Sequence, residues 1–509
     1  MSRERIIRAV TILAAFTSVV FLCMATWFAV FYASEPILGF HAFRQTQTAL
    51  TSYWACRGGL GLSYWTPVGG YPWSIPFEFP IYQWIVAGIA CPLGLSLDPV
   101  GRIVSYLFWI ACLWPAWVIC KRLFTESARL YFWTFTALFL TAPIYLFWGR
   151  SFMMETAALF FALAYLAYAL EMSFGDDRWR DAILTFVFMT LAILQKSTTV
   201  LPLLLFGLVY LYQARKELQK LFRSSMVLKG LLAYGLSFLI GYAWVKYSDH
   251  VKMSNHLGAF LTSAALEWWN FGELDKRYSA DLWIKVIWGR VIGQNIAGHL
   301  GVMVILAGLI FAPARRWVIA TGVGLFLLFF MVFENLLYVH EYYPDSCTVY
   351  LIFAVAVAIG GLIEARPTFG AWISAAFAGI VAINLWGFFS GPLWAEETMH
   401  YDDTYPALAV AKFVREHTSA DDPVLIYGDD WSSEFPYYAQ RKAFAVPHFF
   451  KAYLDPLDNP EKYLDRGQSA ILLCGEARSD KNVMARMQKL YSTWPKAQLE
   501  QCDVYLRKN

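Results

Sequence analysis

Residues 39–54, GFHAFRQTQTALTSYW, follow the first long apolar segment of the chain. They include His41, Arg44, Gln45 and Gln47, four charged or strongly polar side chains within seven residues. Burying so many polar residues in lipid costs much free energy, whereas water can solvate them where a membrane helix reaches the membrane surface. The stretch therefore predicts the floor of an active site at the membrane boundary, held there by the helices on either side.

The overall composition is that of a multi-spanning membrane protein. Of 509 residues, 58% are hydrophobic and 16% are charged, whereas soluble domains are nearer a quarter charged. The aromatic share of 18%, with 22 Trp, suits interfacial belts and a pocket for an apolar chain. A net charge of +3 is too small to indicate a nucleic-acid partner.

Stretches of about 20 apolar residues predict membrane helices. Eleven are expected, at residues 9–32, 102–120, 130–148, 154–171, 182–195, 198–213, 227–246, 296–313, 317–336, 346–363 and 371–392. Basic residues fall in alternate short loops, the longest of which spans 215–223 and includes Lys220 and Arg223. The positive-inside rule then puts the N-terminus in the cytoplasm and the C-terminus outside.

One further apolar run, residues 79–97, contains Pro80 and Pro92 and has two interpretations. If it crossed the membrane, the basic loops that follow would lie outside, against the positive-inside rule. We therefore prefer a juxtamembrane helix in the first external loop, while a true span stays the alternative.

The composition changes after residue 395. Residues 396–509 are polar, and segments such as VLIYGDD and AILLCGE read as strands between helical patterns. The sequence thus predicts a transmembrane domain at 1–395 and a small extracytoplasmic α/β domain at 396–509. Cys474 and Cys502 are positioned to pair if this domain faces an oxidising compartment, whereas Cys91, in an apolar run, is expected to pack.

Several ionisable or aromatic groups lie at the predicted outer ends of helices, and each has a structural alternative. Glu155 can face a cavity, or it can pair with Arg150 at a helix N-terminus. Arg150 is also expected among the residues that bind substrate. Lys196 can hold a phosphate as a point charge, or it can extend to the interface. Glu78 touches substrate or orients the juxtamembrane helix. The same choice applies to a polar and aromatic cluster formed by His340, Tyr342 and Tyr343.

Cations, bases and apolar surroundings on one side of a membrane suit chemistry on a lipid phosphate ester. Cations such as Arg44 and Lys196 stabilise the leaving phosphate, and a base takes the proton of an attacking hydroxyl. We expect these residues to meet in one chamber. No nucleotide-binding motif and no metal-type Cys/His spacing occurs in the sequence, so a lipid-linked donor without metal or cofactor is expected.

Five segments resemble motifs of the GT-C glycosyltransferases that use polyprenyl-phosphate sugars, a group that includes protein O-mannosyltransferases and lipid A aminoarabinose transferases. They are HAFRQTQTA, FEFPIYQW, RSFMMETAALFF, LQKSTTVLPLL and HEYYPDS. The resemblance implies phosphate binding by Lys196 and an acidic role for Glu155. It also implies a bacterial inner membrane enzyme with a periplasmic C-terminal domain.

The first motif departs from the family because His41 stands where the family has an aspartate. The resemblance then leaves three interpretations: His41 is the base, Glu155 or the upstream Glu35 is the base, or the chain binds a donor without turnover. We expect a glycosyltransferase that moves one sugar from a polyprenyl phosphate to a hydroxyl of a lipid, glycan or protein, with inversion. The alternative from another class is a lipid-linked saccharide transporter, which would favour mid-membrane charges and paired repeats.

Overall fold

The apolar segments form helices, because within lipid a single segment can satisfy its backbone hydrogen bonds only in that way. The computed structural model describes residues 3–58, 60–176, 178–216 and 224–507. Lys220 and Arg223 of the predicted cytoplasmic loop lie outside the described residues. The predicted fold class, a polytopic helical membrane protein with a small C-terminal α/β portion, is confirmed.

The chain divides into two compact units. Unit 1 contains Met1–Ala33, Arg102–Ala243 and Glu267–Thr398, and unit 2 contains Ser34–Gly101, Trp244–Leu266 and Met399–Asn509. Two helices contain a unit boundary, Leu97–Ala111 and Ser237–Lys252.

Unit 1 is helical. Its α-helices are Arg3–Phe31, Leu113–Phe124, Ala128–Thr141, Pro143–Trp148, Glu155–Phe174, Trp179–Val200, Leu205–Ala214, Ser225–Gly230, Glu267–Phe271, Gly293–Asn295, His299–Phe311, Arg316–Val332, Glu334–Val339, Asp345–Ala365, Gly370–Ser390 and Pro392–Glu397. Two segments, Leu231–Leu236 and Asp281–Ile292, are π-helical, and short 3₁₀ turns occur at Thr125–Ser127, Leu201–Leu204, Lys276–Tyr278 and Pro367–Phe369.

Helix Asp345–Ala365 is the central helix of unit 1, and nearly all of its side chains are buried. Its small residues allow neighbours to approach closely, as is common between membrane helices. A Cβ atom at Gly360, for example, would stand 2.5 Å from the ring of Tyr131. This packing makes the helix a rigid reference for the groups at its two ends.

When helices are counted by length and hydropathy alone, fewer membrane spans are found than the eleven expected. Among the described residues seven helical stretches qualify, or eight if the bent pair Asp281–Asn295 and His299–Phe311 is one span. Two of the seven, Leu97–Thr141 and Trp179–Ala214, each contain two predicted spans, and Arg316–Val332 is a shorter apolar helix. All eleven predicted spans fall on helices, but their count stays a prediction.

Unit 2 combines helices with a five-stranded sheet. The strands are β1 (Val424–Tyr427), β2 (Ala443–Val446), β3 (Ala470–Cys474), β4 (Lys496–Gln498) and β5 (Cys502–Leu506), in the order β2-β1-β3-β5-β4. β1 is parallel to β2 and β3, while β5 is antiparallel to β3 and β4. The helices are Ala42–Gly58, Ile81–Leu93, Pro406–His417, Glu434–Ala439, Asp455–Asp458 and Lys481–Leu490, with 3₁₀ turns at Gly258–Leu261, Pro460–Lys462 and Gly475–Arg478.

The core of unit 2 is built from three separate parts of the chain. Trp73 and Ile75 of the first loop and Leu257 pack with sheet residues such as Phe444. The first loop also adds to the sheet, since the Ala445 amide donates to the carbonyl of Val68 at 2.9 Å. The division of the chain into units therefore differs from the predicted boundary between residues 395 and 396. The reason is that residues far upstream in the sequence pack against the sheet and form part of its core.

The run at 79–97 contains a helix of only 13 residues, Ile81–Leu93. Such a helix is about 20 Å long, too short for a hydrocarbon core of about 30 Å. Its length favours the juxtamembrane interpretation over a true span.

Two disulfides stabilise unit 2. Cys474 pairs with Cys502 across β3 and β5, and Cys56 pairs with Cys91. The expectation that Cys91 only packs is therefore wrong. Helix Ala42–Gly58 ends near helix Ile81–Leu93, a proximity that the local apolar pattern around Cys91 does not reveal.

The loop after β1 holds a buried acidic residue. Burial, together with the nearby carboxylates of Glu434 and Asp430, raises the pKa of Asp429 to about 7. The pKa of Asp455, by contrast, is lowered to about 2 by hydrogen bonds from Lys462, Tyr463 and Asn459. These two carboxylates affect stability in opposite directions as the pH changes.

We expect Asp429→Asn to stabilise the protein by an amount that grows from about pH 5 to about pH 7 and then stays constant. A carboxyl with a raised folded-state pKa stabilises the fold while protonated, and that stabilisation is lost as pH rises through about 7. Melting temperatures of wild type and variant at several pH values measure the effect. The matched control Asp455→Asn should show a constant loss over this range, because that group is ionised throughout; a pH-independent difference for Asp429→Asn would contradict the assignment.

Candidate functional site

A buried ion pair joins two packed helices of unit 1. The Lys196 ammonium donates to Oε1 of Glu155 at 2.5 Å, and the two side chains are only 5% and 2% exposed. Glu155 is the first residue of helix Glu155–Phe174, where the helix dipole favours a carboxylate. The structure thus brings together two predicted site residues that are 41 positions apart.

The backbone at Lys196 interrupts its helix. Within Trp179–Val200 this residue alone has an extended conformation, with φ −165° and ψ 96°. The break turns the backbone four residues before the helix ends, and Pro202 in the following 3₁₀ turn prevents a regular continuation. Irregular backbone at membrane depth is tolerated where it is covered by protein or lines a cavity.

Aromatic rings cover the ammonium group. Lys196 Nζ lies 3.9 Å from the ring centroid of Tyr343 and 5.4 Å from that of Tyr342. The ring of His340 is 5.3 Å from both tyrosine rings. All three residues of the predicted polar and aromatic cluster are therefore at the ion pair, where ring faces stabilise the cation.

A second carboxylate lies at the same place and was not predicted. Asp345, 3% exposed, is close enough to interact electrostatically with both Glu155 and Lys196. The Tyr145 hydroxyl donates to the backbone carbonyl of Asp345 at 2.5 Å, and the backbone amide of Asp345 donates to the carbonyl of Tyr342. The sequence signal was present in HEYYPDS, but an aspartate at a helix start is usually an ordinary N-terminal residue.

Arg150 has a different partner from those expected. It forms a buried ion pair with Glu397, and its guanidinium lies 5.6 Å from the ring centroid of Tyr32. Glu397 was also missed, since it lies 247 positions away in a segment without a motif. Arg150 stays a predicted substrate-binding residue, but its visible contacts hold unit 1 together.

In unit 2 three of the predicted side chains form one polar cluster. Arg44 forms an ion pair with Glu78, and it donates to Oε1 of Gln47 at 2.5 Å. Gln45 turns the other way and donates to the carbonyl of Phe40 at 3.0 Å. Arg44 and Glu78 are partly exposed, so the cluster is accessible to a ligand.

His41 occupies a strained backbone position directly before helix Ala42–Gly58. Its φ of 55° lies in the left-handed region, and its carbonyl accepts from the amides of Arg44 and Gln45. Such strain costs about 1–2 kcal/mol and is concentrated at functional sites. The alternative base Glu35 contacts Nδ1 of His400 at 2.9 Å.

The described part of the chain contains no group of three or more His, Cys, Asp or Glu that could hold a metal ion. The predicted meeting of the residues around 41–47 with those around 155, 196 and 340 stays a prediction.

Solved structures with similar folds cover nearly the whole chain. ArnT from Cupriavidus metallidurans, in a crystal structure with bound undecaprenyl phosphate, is 15% identical, with a TM-score of 0.60 over 96% of this chain and 97% of its own. The oligosaccharyltransferase AglB from Archaeoglobus fulgidus, in complex with an inhibitory peptide and a dolichol-phosphate, is 10% identical, with a TM-score of 0.54 over 94% and 70%. The chain has the GT-C fold.

A third GT-C structure extends the comparison. The arabinofuranosyltransferase AftD from Mycobacteria is 13% identical, with a TM-score of 0.56, and this chain matches 40% of its length. No family model and no curated protein sequence matches the chain. The similarity is thus one of fold, and it confirms the resemblance that the five motifs indicated.

We expect His41→Gly to be more stable than His41→Ala by about 1 kcal/mol. Both variants lose the imidazole, but only glycine relieves the steric cost of the positive φ at this position. Thermal or chemical denaturation of the two purified variants measures the difference. Equal stabilities, or a more stable alanine variant, would show that the backbone at residue 41 is not strained.

Proposed function

We propose that this protein transfers a sugar from a polyprenyl phosphate donor to an acceptor hydroxyl and inverts the anomeric carbon. The observation that carries the proposal is the buried ammonium of Lys196, which lies at the end of membrane helices in a GT-C fold. A buried lysine needs a permanent anionic partner or a ligand that provides one. Lipid phosphate is such a ligand and reaches the site from the bilayer.

The charges around Lys196 support an exchange of partners. Glu155 and Asp345 supply two carboxylates near one ammonium. When a lipid phosphate binds to Lys196, Glu155 is released from its ion pair. It can then accept a proton, so that one binding event both neutralises the phosphate and frees a base.

The chemistry is a direct displacement. The acceptor oxygen bonds to the anomeric carbon, and the bond from that carbon to the phosphate oxygen breaks. The electron pair leaves with the polyprenyl phosphate, whose charge Lys196 stabilises. The proton of the acceptor hydroxyl goes to His41, which we rank first, or to Glu155. Attack opposite the leaving group inverts the configuration.

An apolar cavity in unit 1 offers room for part of the lipid tail. Its volume is about 240 Å³, and its wall includes Leu163, Phe206 and Tyr350. Tyr350 follows Asp345 by five residues in one helix, a rise of about 7.5 Å. Along this helix the cavity wall thus starts about one to two turns from Asp345, and it extends deeper, since Leu170 near the other end of helix Glu155–Phe174 also lines it. This extent would suit a lipid tail whose phosphate binds Lys196.

The two disulfides support an extracytoplasmic unit 2. Both lie in that unit, and disulfides persist in oxidising compartments such as the bacterial periplasm. Together with the basic loops, they favour a cytoplasmic N-terminus and a periplasmic C-terminal region in a bacterial inner membrane. The acceptor would then be a periplasmic glycan, lipid or protein.

The proposal is tested with purified protein in nanodiscs and a panel of labelled polyprenyl-phosphate sugars and acceptors. We expect transfer by wild type and a loss of about a hundredfold or more in Lys196→Gln, because the leaving phosphate loses its counterion. Of the variants Glu155→Gln and His41→Ala, the one that removes the base should lose about 10²- to 10⁴-fold in transfer activity.

Lys285→Gln is the matched control, because Lys285 pairs with Asp281 at 2.7 Å but is 73% exposed. Its activity should equal that of wild type. The double variant Glu155→Gln/Lys196→Gln removes both charges of the pair and separates loss of folding from loss of function. Wild type that binds undecaprenyl phosphate but transfers no sugar, or Lys196→Gln with full activity, would contradict the proposal.

A further inference from the structure

A second charged cavity lies at the opposite end of unit 1 from the Lys196 ion pair. It has a volume of about 520 Å³ and is lined at the ends of several membrane helices. Its polar lining is formed by six residues: Arg3, Thr125, Glu126, Ser127, Arg315 and Glu364. Nothing in the proposed reaction uses these residues.

This cavity lies at the level of the lipid headgroups on the membrane surface opposite to the Lys196 ion pair. Asp345 begins the central helix beside Lys196, and Glu364 lies 19 residues further along the same helix. A rise of 1.5 Å per residue separates them by about 29 Å, which equals the thickness of the hydrocarbon core. The ion pair and the cavity therefore lie at opposite membrane surfaces.

Two of the cavity's charged groups are fixed by mutual contacts. Arg315 donates through Nε and Nη2 to Oε2 of Glu364, and the Tyr131 hydroxyl donates to the same oxygen at 2.6 Å. Within the described ranges no hydrogen bond involves Arg315 Nη1 or Glu364 Oε1. The Nη1 amino group of Arg315 and the Oε1 atom of Glu364 are thus left for a ligand.

The other two charged groups lie on exposed parts of the rim, and a strained residue lies beside them. Arg3 adds a second cation and Glu126 a second anion. Thr125 has a φ of 32°, an outlier for a β-branched residue. Strain of this kind persists where the surrounding structure enforces it and is concentrated at ligand sites.

We propose that this cavity binds the zwitterionic headgroup of an aminophospholipid. Two guanidinium groups and two carboxylates match a ligand with one phosphate and one ammonium, whereas a purely anionic headgroup would bring no cation to Glu126 or to Oε1 of Glu364. The phosphate accepts from Arg3 and Arg315, and the ammonium donates to Glu126 and Glu364. The apolar wall, which includes Leu123, Phe124 and Pro313, faces the start of the acyl chains.

Native mass spectrometry of the delipidated full-length protein tests the proposal. Phosphatidylethanolamine, phosphatidylglycerol and phosphatidylcholine are titrated separately and in competition, and free phosphoethanolamine serves as the soluble probe. We expect phosphatidylethanolamine to bind at least about fivefold more tightly than either other lipid. Phosphatidylglycerol lacks the ammonium, and the choline group cannot donate hydrogen bonds to carboxylates. Free phosphoethanolamine should bind far more weakly, because it lacks the apolar chains.

Glu126→Gln and Arg3→Gln change exposed groups, so their effect on folding should be small. Glu126→Gln should reduce the preference for phosphatidylethanolamine over phosphatidylglycerol at least about threefold, and Arg3→Gln should weaken both lipids. Lys412→Gln, an exposed residue of unit 2, is the control and should change nothing. Equal binding of the three lipids, or an unchanged preference in Glu126→Gln, would overturn the proposal. These outcomes do not depend on whether the protein transfers sugar.

Discussion

The salt bridge between Lys196 and Glu155 is the interaction on which the proposed function depends. Both groups are almost fully removed from water, and a buried charge is costly unless a partner satisfies it. A hydrophobic pair of similar size would often stabilise the bundle as well or better. A charge kept at such a position is best explained by a ligand that exchanges with its partner, and a lipid phosphate has the required charge and access.

The charged groups of the candidate site lie at the ends or breaks of helices. Glu155 and Asp345 each begin a helix, while Lys196 lies where a third helix breaks. Side chains at helix ends are held by rigid elements yet remain near the membrane surface. The same arrangement recurs at the other ends of the bundle, where Arg315 and Glu364 form the second charged cavity. The central helix Asp345–Ala365 fixes the separation of the two sites.

Unit 2 shows that local sequence patterns predict secondary structure more easily than they predict which parts of the chain form one domain. Strands β1 and β3 and the Cys474–Cys502 pairing could be predicted from alternation and composition after residue 395. The contribution of Trp73 and Leu257 to the same core could not, because only long-range packing brings them to the sheet. The Cys56–Cys91 disulfide was missed for the same reason, since an apolar run around a cysteine predicts packing equally well.

Within the candidate site, the sequence identified residues that carried an unusual charge for their surroundings. Glu155 and Lys196 were predicted in this way, and Tyr342 and Tyr343 as part of a polar and aromatic cluster; the structure brings the four together. Asp345 and Glu397 were not selected, because carboxylates at helix ends are common on any protein. Their importance follows from burial, which depends on the whole bundle.

The location of a bound lipid phosphate tests this account most directly. Cryo-electron microscopy of the wild-type protein in nanodiscs with undecaprenyl phosphate would show it. The account predicts a phosphate oxygen about 3 Å from Nζ of Lys196, with Glu155 displaced from its present contact. A phosphate bound elsewhere, with the Lys196–Glu155 pair unchanged, would contradict it.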